Sequence, residues 1–254
     1  MDHIMFSESH CHVDLKAGDA IKRAEEMGVE LILTAGIDMV SSEEAIQTSK
    51  KFDVVRACVG IHPWNADTYS SEALTKLREL AESKEVVAIS EIGLDFVGRR
   101  NREGKFVNEH IDEKVQQQAF KEQLKLAMEL GLPVLVHDRV PDQEVLDIID
   151  NVGNMAFGVA IHGFSKDEAY AERCLDAGML LSIGQRTIFA PENDEFRNVL
   201  KWIPIEYMLT ETDSGSPEGV ISVAEKLAEL KGCSKEKVGK ATTDNLKKLL
   251  SRKL

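Results

Sequence analysis

No stretch of eighteen apolar residues occurs in this 254-residue chain, so no helix is expected to span a membrane. Glycine (17) and proline (6) are too few for collagen-like or proline-rich fibres. The four cysteines, Cys11, Cys58, Cys174 and Cys233, lie far apart and form no C-x-x-C pair. That spacing indicates neither a zinc ribbon nor a disulfide framework, and reduced thiols in a reducing compartment fit it. The start, Met1-Asp2-His3-Ile4, lacks the basic-then-apolar pattern of a secretory signal. A soluble, cytoplasmic protein is the expectation. Positive charge is also in short supply: 31 Lys and Arg stand against 44 Asp and Glu, for a net charge of −13. Such a chain repels phosphate backbones at long range, so stable duplex binding is not expected. A protein whose acidic groups collect cations stays open.

What the chain does contain is a globular balance, 43% hydrophobic and 30% charged. Apolar runs near Ile4–Phe6, Leu31–Leu33, Val54–Ile61, Val86–Ile89, Pro133–Val136, Ala156–Ile161, Met179–Ile183 and Ile205–Leu209 give eight candidate strands. Helical periodicity fills the gaps, as in Asp19–Met27, Val115–Leu130, Asp142–Ile149, Lys166–Ala177 and Pro217–Leu230. Gly131-Leu132-Pro133 reads as a helix stop before a strand, and Ser41-Ser42-Glu43-Glu44 resembles an N-cap with an acidic first turn. Strands alternating with helices imply parallel pairing through crossovers. Eight such units in this length predict a closed (β/α)8 TIM barrel, with an open doubly wound sheet as the alternative. No linker or low-complexity tract appears, so residues 1–254 are drawn as one domain. Ser234–Leu254 is expected to add one or two helices closing the C-terminal side.

The chemistry lies where the apolar runs end. His10 and His12 follow the first run, Glu91 the fourth, His137 the fifth, His162 the sixth and Asp213 the eighth. In a parallel barrel those ends share one face around one axis. His10 and His12 are alternate residues, so on a strand both imidazoles point the same way and Cys11 points into the wall. Glu91, flanked by Ile89 and Ile92, is costly to bury unless a cation or a base meets it. Glu211 is a rival acid to Asp213, one step deeper in the strand. Four imidazoles and two carboxylates suit Zn²⁺, Mg²⁺ or Mn²⁺, and the lack of thiolates argues against a structural zinc site. Six ligands exceed the need of one catalytic ion. Two ions about 3.5–4 Å apart, bridged by a carboxylate, would use them all, lowering the pKa of a bound water and stabilising attacking and leaving oxygens.

These residues stand in recognisable motifs. His10-Cys11-His12-Val13-Asp14, Gly60-Ile61-His62-Pro63, Glu91-Ile92-Gly93-Leu94-Asp95, Leu132–Arg139, His162-Gly163-Phe164-Ser165 and Glu211-Thr212-Asp213 together resemble the TatD family, metal-dependent deoxyribonucleases of the amidohydrolase-like barrel group. Asn245 is in keeping with it. The resemblance implies a two-metal barrel in which His10, His12 and Asp213 hold one ion, His137 and His162 the second, and Glu91 bridges. It places His62 near the scissile phosphate, lets Asp213 accept the water's proton, and makes Arg139 a candidate phosphate contact. Glu91 stands where urease- or dihydroorotase-type relatives carry a metal-bridging lysine. The chain departs from the family at Gly163, where a cysteine is usual, and at Ser214-Gly215-Ser216, which delays Pro217. The basic stretch Gly98–Lys105 is expected to overhang the metal face and guide a phosphodiester, or to be a solvated loop. His3 and His110 are expected to face solvent.

The expected activity is hydrolysis of DNA phosphodiester bonds with two divalent ions, from an end or on single strands. Two alternatives follow from the same residues: a metal-dependent hydrolase of a small ester, lactone or amide, and a catalytically silent, metal-stabilised binding protein.

Overall fold

The computed structural model describes residues 5–98, 110–153, 156–191 and 193–253. Eight strands form one parallel sheet in sequential order: β1 (Phe6–Cys11), β2 (Val29–Ala35), β3 (Val55–Val59), β4 (Val86–Asp95), β5 (Val134–Arg139), β6 (Val159–His162), β7 (Leu180–Gly184) and β8 (Met208–Glu211). The barrel closes between its first and last strands. Asp213 N donates to His10 O at 3.0 Å, and His12 N to Ser214 O at 2.9 Å. Lower in the seam, Ser9 Oγ donates to Thr210 O and Thr210 Oγ1 to Ser7 O, each at 3.0 Å. The expected barrel is therefore the observed one.

The crossovers are α1 (Gly18–Glu26), α2 (Met39–Lys51), α3 (Ser71–Ala81), α4 (Glu113–Leu130), α5 (Glu144–Val152), α6 (Glu168–Asp176), the short α7 (Gln185–Ile188), α8 (Asp194–Trp202) and α9 (Val220–Lys231). Gly131 ends α4 in the left-handed region at φ 67°, as the Gly-Leu-Pro stop requires. The start of α2 differs from expectation. Asp38 is the N-cap, and Ser41 is the third helical residue of a reciprocal capping box. The Asp38 carboxylate takes the Ser41 amide at 2.8 Å while Ser41 Oγ accepts from Asp38 N at 3.1 Å.

Strand alternation sorts the core into two layers. Leu31, Leu33, Cys58, Leu135, Ala160 and Leu209 pack together inside the barrel. Their neighbours Ile32, Ala57, Val134, Val136, Val159, Ile161 and Met208 join the larger core between strands and helices. The last helix, α10 (Lys235–Leu249), sends Leu246 and the following Leu250 into the inner layer, beside the first residues of the strands. It therefore closes the N-terminal mouth rather than the C-terminal side, and leaves the opposite mouth to the polar residues. Two strand expectations shift for related reasons. Ile205–Tyr207 is a 3-10 turn behind Pro204, so β8 starts at Met208. β1 runs through Ser7-Glu8-Ser9, which are polar yet buried. Among the described residues, no helix is long and apolar enough to cross a membrane.

Candidate metal centre

Inward parity continues past the apolar layer into the site. His137 lies two residues beyond Leu135, His162 two beyond Ala160, and Glu211 two beyond Leu209, so each points into the barrel mouth. All six residues expected to meet do so, across β1, β4, β5, β6 and the end of β8. Glu91 lies at the middle. Its Oε2 faces His10 Nε2 at 3.3 Å and His12 Nε2 at 3.6 Å. Its Oε1 faces His137 Nδ1 at 2.6 Å and His162 Nε2 at 2.8 Å. Asp213 Oδ1 approaches His12 Nε2 at 3.3 Å and His10 Nε2 at 3.9 Å. His137 Nδ1 and His162 Nε2 lie 3.2 Å apart.

The donor set fits divalent ions. Donors at about 2.1 Å from a tetrahedral ion stand roughly 3.4 Å apart, close to the 3.3–3.6 Å spacings of the His10, His12, Glu91 and Asp213 atoms, while the Glu91 contacts to His137 and His162 are shorter. His10 is wholly buried; among the described residues its Nδ1 has no hydrogen-bond partner, and its Nε2 faces carboxylate oxygens of Glu91 and Asp213 at 3.3 and 3.9 Å. Leaving a buried imidazole so is costly unless something else engages it.

The far ring nitrogens set which nitrogen faces the centre. His12 Nδ1 donates to Ala35 O at 3.0 Å, His162 Nδ1 to Glu211 Oε1 at 3.1 Å, and His137 Nε2 to Asp95 Oδ2 at 3.1 Å. Once its inner proton is lost, each would turn a lone pair toward the centre. His62 is built the other way. Its Nδ1 accepts from Trp64 N at 3.0 Å, capping the turn Pro63–Thr68, so a neutral His62 carries its proton on Nε2. That N–H lies 3.2 Å from Glu91 Oε1. His62, His137 and Glu91 offer atoms close enough for an ion, yet the proton on His62 makes it a donor rather than a ligand.

Charge in the centre is arranged by burial and pairing. Burial works to raise the Glu91 carboxyl, but the imidazoles of His62, His162 and His10 hold it well below the usual carboxylate range. Burial works against the charged form of Asp213 as well. The hydrogen bond with His12 and the nearby histidines outweigh it and bring Asp213 down to about 2. Burial pushes His62 down to about 4, so it is neutral near pH 7. Asp213 has φ 51°, left-handed for a residue other than glycine.

Asp95, Glu211 and Glu8 complete the support. Asp95 is fully buried, and its Oδ2 accepts from Trp64 Nε1 at 2.8 Å, His137 Nε2 at 3.1 Å and Arg139 Nη1 at 3.3 Å. Arg139 thus pairs with Asp95, not with Asp138 or Asp142, and lines the same cavity as the histidines. Glu211 Oε1 also takes the Gly163 amide at 2.8 Å, so the rival acid bonds inside and orients His162. Glu8 Oε1 accepts from His10 N and Thr212 N, each at 3.0 Å, tying the strands that carry His10 and Asp213. Gly93 lets β4 and β5 meet, because a Cβ there would stand 2.0 Å from His137 O. The sequence alone assigns no role to Asp95 or Trp64. Parity was the available signal for Asp95, since Glu91, Gly93 and Asp95 share one strand face. His110 is exposed and lies 3.8 Å from Glu113. His3 and most of the basic stretch Gly98–Lys105 lie outside the described residues.

A parallel eight-stranded barrel with imidazoles and carboxylates converging at its C-terminal mouth is the architecture of a metal-dependent hydrolase. The sequence model of the family described as TatD related DNase matches residues 8–251. The chain belongs to that family. It is 30% identical over 265 residues to an uncharacterized metal-dependent hydrolase, YabD, of Bacillus subtilis, an alignment spanning 96% of this chain and 98% of that protein. It is 35% identical over 196 residues to the 3'-5' ssDNA/RNA exonuclease TatD of Cronobacter turicensis, across 77% of this chain and 71% of the relative. Among solved structures, YJJV, a TatD homolog from Escherichia coli, matches with a TM-score of 0.86 at 26% identity, covering 99% of each chain.

Proposed function

We propose that this protein is a nuclease that hydrolyses phosphodiester bonds of single-stranded DNA, working from an end, with two divalent ions (Zn²⁺, Mg²⁺ or Mn²⁺). The observation that carries the reading is the division of Glu91: one oxygen faces the His10–His12 pair and the other the His137–His162 pair. In this reading His10, His12 and Asp213 would hold one ion, His137 and His162 would hold the other, and Glu91 would serve both. Such ions supply a lowered pKa for the attacking water and neutralise charge on the phosphoryl oxygens. Asp213, half-exposed to the cavity, accepts the water's proton. His62 presents Nε2–H as a neutral donor to a phosphoryl oxygen, and Arg139 contacts the phosphate from the β5 side.

Support for the substrate comes from relatives named as ssDNA/RNA exonucleases, set beside a cavity of about 630 Å³ shared by His12, His62, Trp64, Arg139 and Asp213. The acidic chain favours transient single-strand engagement over stable duplex binding. The reading treats residues 1–254 as one barrel domain. It also places the protein in the cytoplasm, with which four free cysteines are in keeping.

The test is release of nucleotides from end-labelled oligonucleotides by chelator-treated protein resupplied with Mg²⁺, Mn²⁺ or Zn²⁺. Turnover restored by a divalent ion and abolished by chelator is expected. Folded protein that releases nothing with any of the three contradicts the nuclease reading.

A further inference from the structure

The cavity over the metal centre is lined by acids on several sides: Asp14, Glu44, Glu91, Asp138, Glu211 and Asp213. Its walls hold two arginines. Arg139 is paired with buried Asp95 at 3.3 Å. Arg186, on α7 just after β7, is exposed, and among the described residues it makes no hydrogen bond or ion pair. A cation left without a partner in an acid-lined cavity, in a chain of net charge −13, is suited to an anion brought from outside.

The placement of Arg186 says which anion. β5, β6 and β7 are neighbours in the barrel, and their ends bring Arg139, Ser165, Arg186 and Thr187 to one sector of the rim. Asp14 and Glu44 stand in the opposite sector, beyond β1 and within α2. The metal-facing atoms lie between. On the Arg186 side the lining acid Asp138 is already paired with Lys166 at 2.9 Å, so the unpaired charge a phosphodiester would meet there is Arg186, whereas Asp14 and Glu44 face it from the other side. A cavity of about 630 Å³ admits more than one small group.

We propose that Arg186, with the Thr187 hydroxyl, forms a subsite for a second phosphate of the substrate strand, next to the one being hydrolysed. The inference rests on the nuclease reading and locates where the neighbouring phosphate of the strand is held. It also orients the strand, which runs from the metal centre over the β6–β7 side.

The experiment compares wild type, Arg186→Gln and Arg186→Lys on two substrates. One is a short oligothymidylate, and the other is the p-nitrophenyl ester of thymidine 5′-phosphate, which has a single phosphodiester. For Arg186→Gln the oligothymidylate KM should rise about tenfold or more, with kcat within about twofold. The ester should keep its kcat/KM within about twofold. Arg186→Lys should recover part of the loss. The slope of log KM against log salt for the oligonucleotide should shrink by about 0.7, the mark of one lost phosphate contact on a single strand. Unchanged oligonucleotide kinetics, or an equal loss on both substrates, overturns the subsite.

Binding separates this outcome from failure of the parent reading. Fluorescence anisotropy with labelled oligothymidylate and metal-free protein reads the contact without turnover. Weaker binding by Arg186→Gln supports the subsite even if no substrate is cut, and equal binding overturns it. Because Arg186 is exposed and unpartnered, its replacement should leave the melting temperature in place.

Discussion

The Trp64 amide donates to Nδ1 of His62 at 3.0 Å, and this bond separates His62 from the other histidines of the cluster. His12, His137 and His162 each donate from the far nitrogen, so in their neutral form the lone pair is the inner one, whereas neutral His62 turns an N–H inward. Replacing His62 with glutamine should leave the number of bound ions unchanged and lower kcat by about a hundredfold, the scale of one lost transition-state donor. Elemental analysis beside steady-state kinetics checks it. Loss of an ion from the variant would make His62 a ligand and refute the assignment.

Asp213 is predicted to matter for turnover more than for stability. Asp213→Asn keeps the shape of the side chain but removes the proton acceptor. Turnover should fall by about a thousandfold or more, within the usual range for a lost general base. The metal-free variant should still fold, with a melting temperature lowered by a few degrees at most, because the lost ion pair with His12 is partly exposed. Turnover equal to wild type would remove Asp213 from the mechanism.

Asp95 is predicted to act through His137. Its buried Oδ2 holds His137 Nε2, Trp64 Nε1 and Arg139 Nη1 at once. Asp95→Ala frees the imidazole to rotate, and metal affinity should drop by about 10–100-fold, as for other outer-shell carboxylates. Asp95→Asn retains an acceptor and should lose less. Competition against a chromogenic chelator measures both, and equal affinity in all three proteins would contradict the role.

Metal uptake should release protons. Burial works to lower His12, His137 and His162, yet their carboxylate partners outweigh it and each stands above the ordinary value of 6.5. Asp213 does this chiefly for His12, Asp95 and Glu91 for His137, and Glu211 and Glu91 for His162. A ligating imidazole must be neutral, so an ion has to displace those protons. Affinity should therefore rise with pH through the range above the ordinary imidazole value. Calorimetric titration with Mn²⁺ at about pH 6 and about pH 8, in buffers of different ionisation enthalpy, tests it. Affinity independent of pH would contradict the protonated resting state.

The barrel was legible because alternation of short apolar runs with helical periods leaves few topologies, and the cluster at its mouth because histidines and acids recur at strand ends. What sequence hid were positions set by tertiary packing. Ser7, Glu8 and Ser9 are polar but wholly buried in β1, so the apolar run before them pulled the predicted strand toward the N-terminus. Ile205–Tyr207 is apolar like a strand, but Pro204 starts a turn there. Ser41 looks like a cap, yet the Asp38 carboxylate three residues earlier takes that place. Asp95 could have been found from its shared face with Glu91. Arg186 could not, because its place over the cavity depends on how α7 folds back after β7.

Anomalous scattering from crystals grown with Mn²⁺ tests most directly whether Glu91 stands between two cations. Two peaks should appear about 3.5–4 Å apart, one beside each carboxylate oxygen. The first should lie against His10, His12 and Asp213, the second against His137 and His162. A single peak, or density away from Glu91, would contradict the two-ion centre.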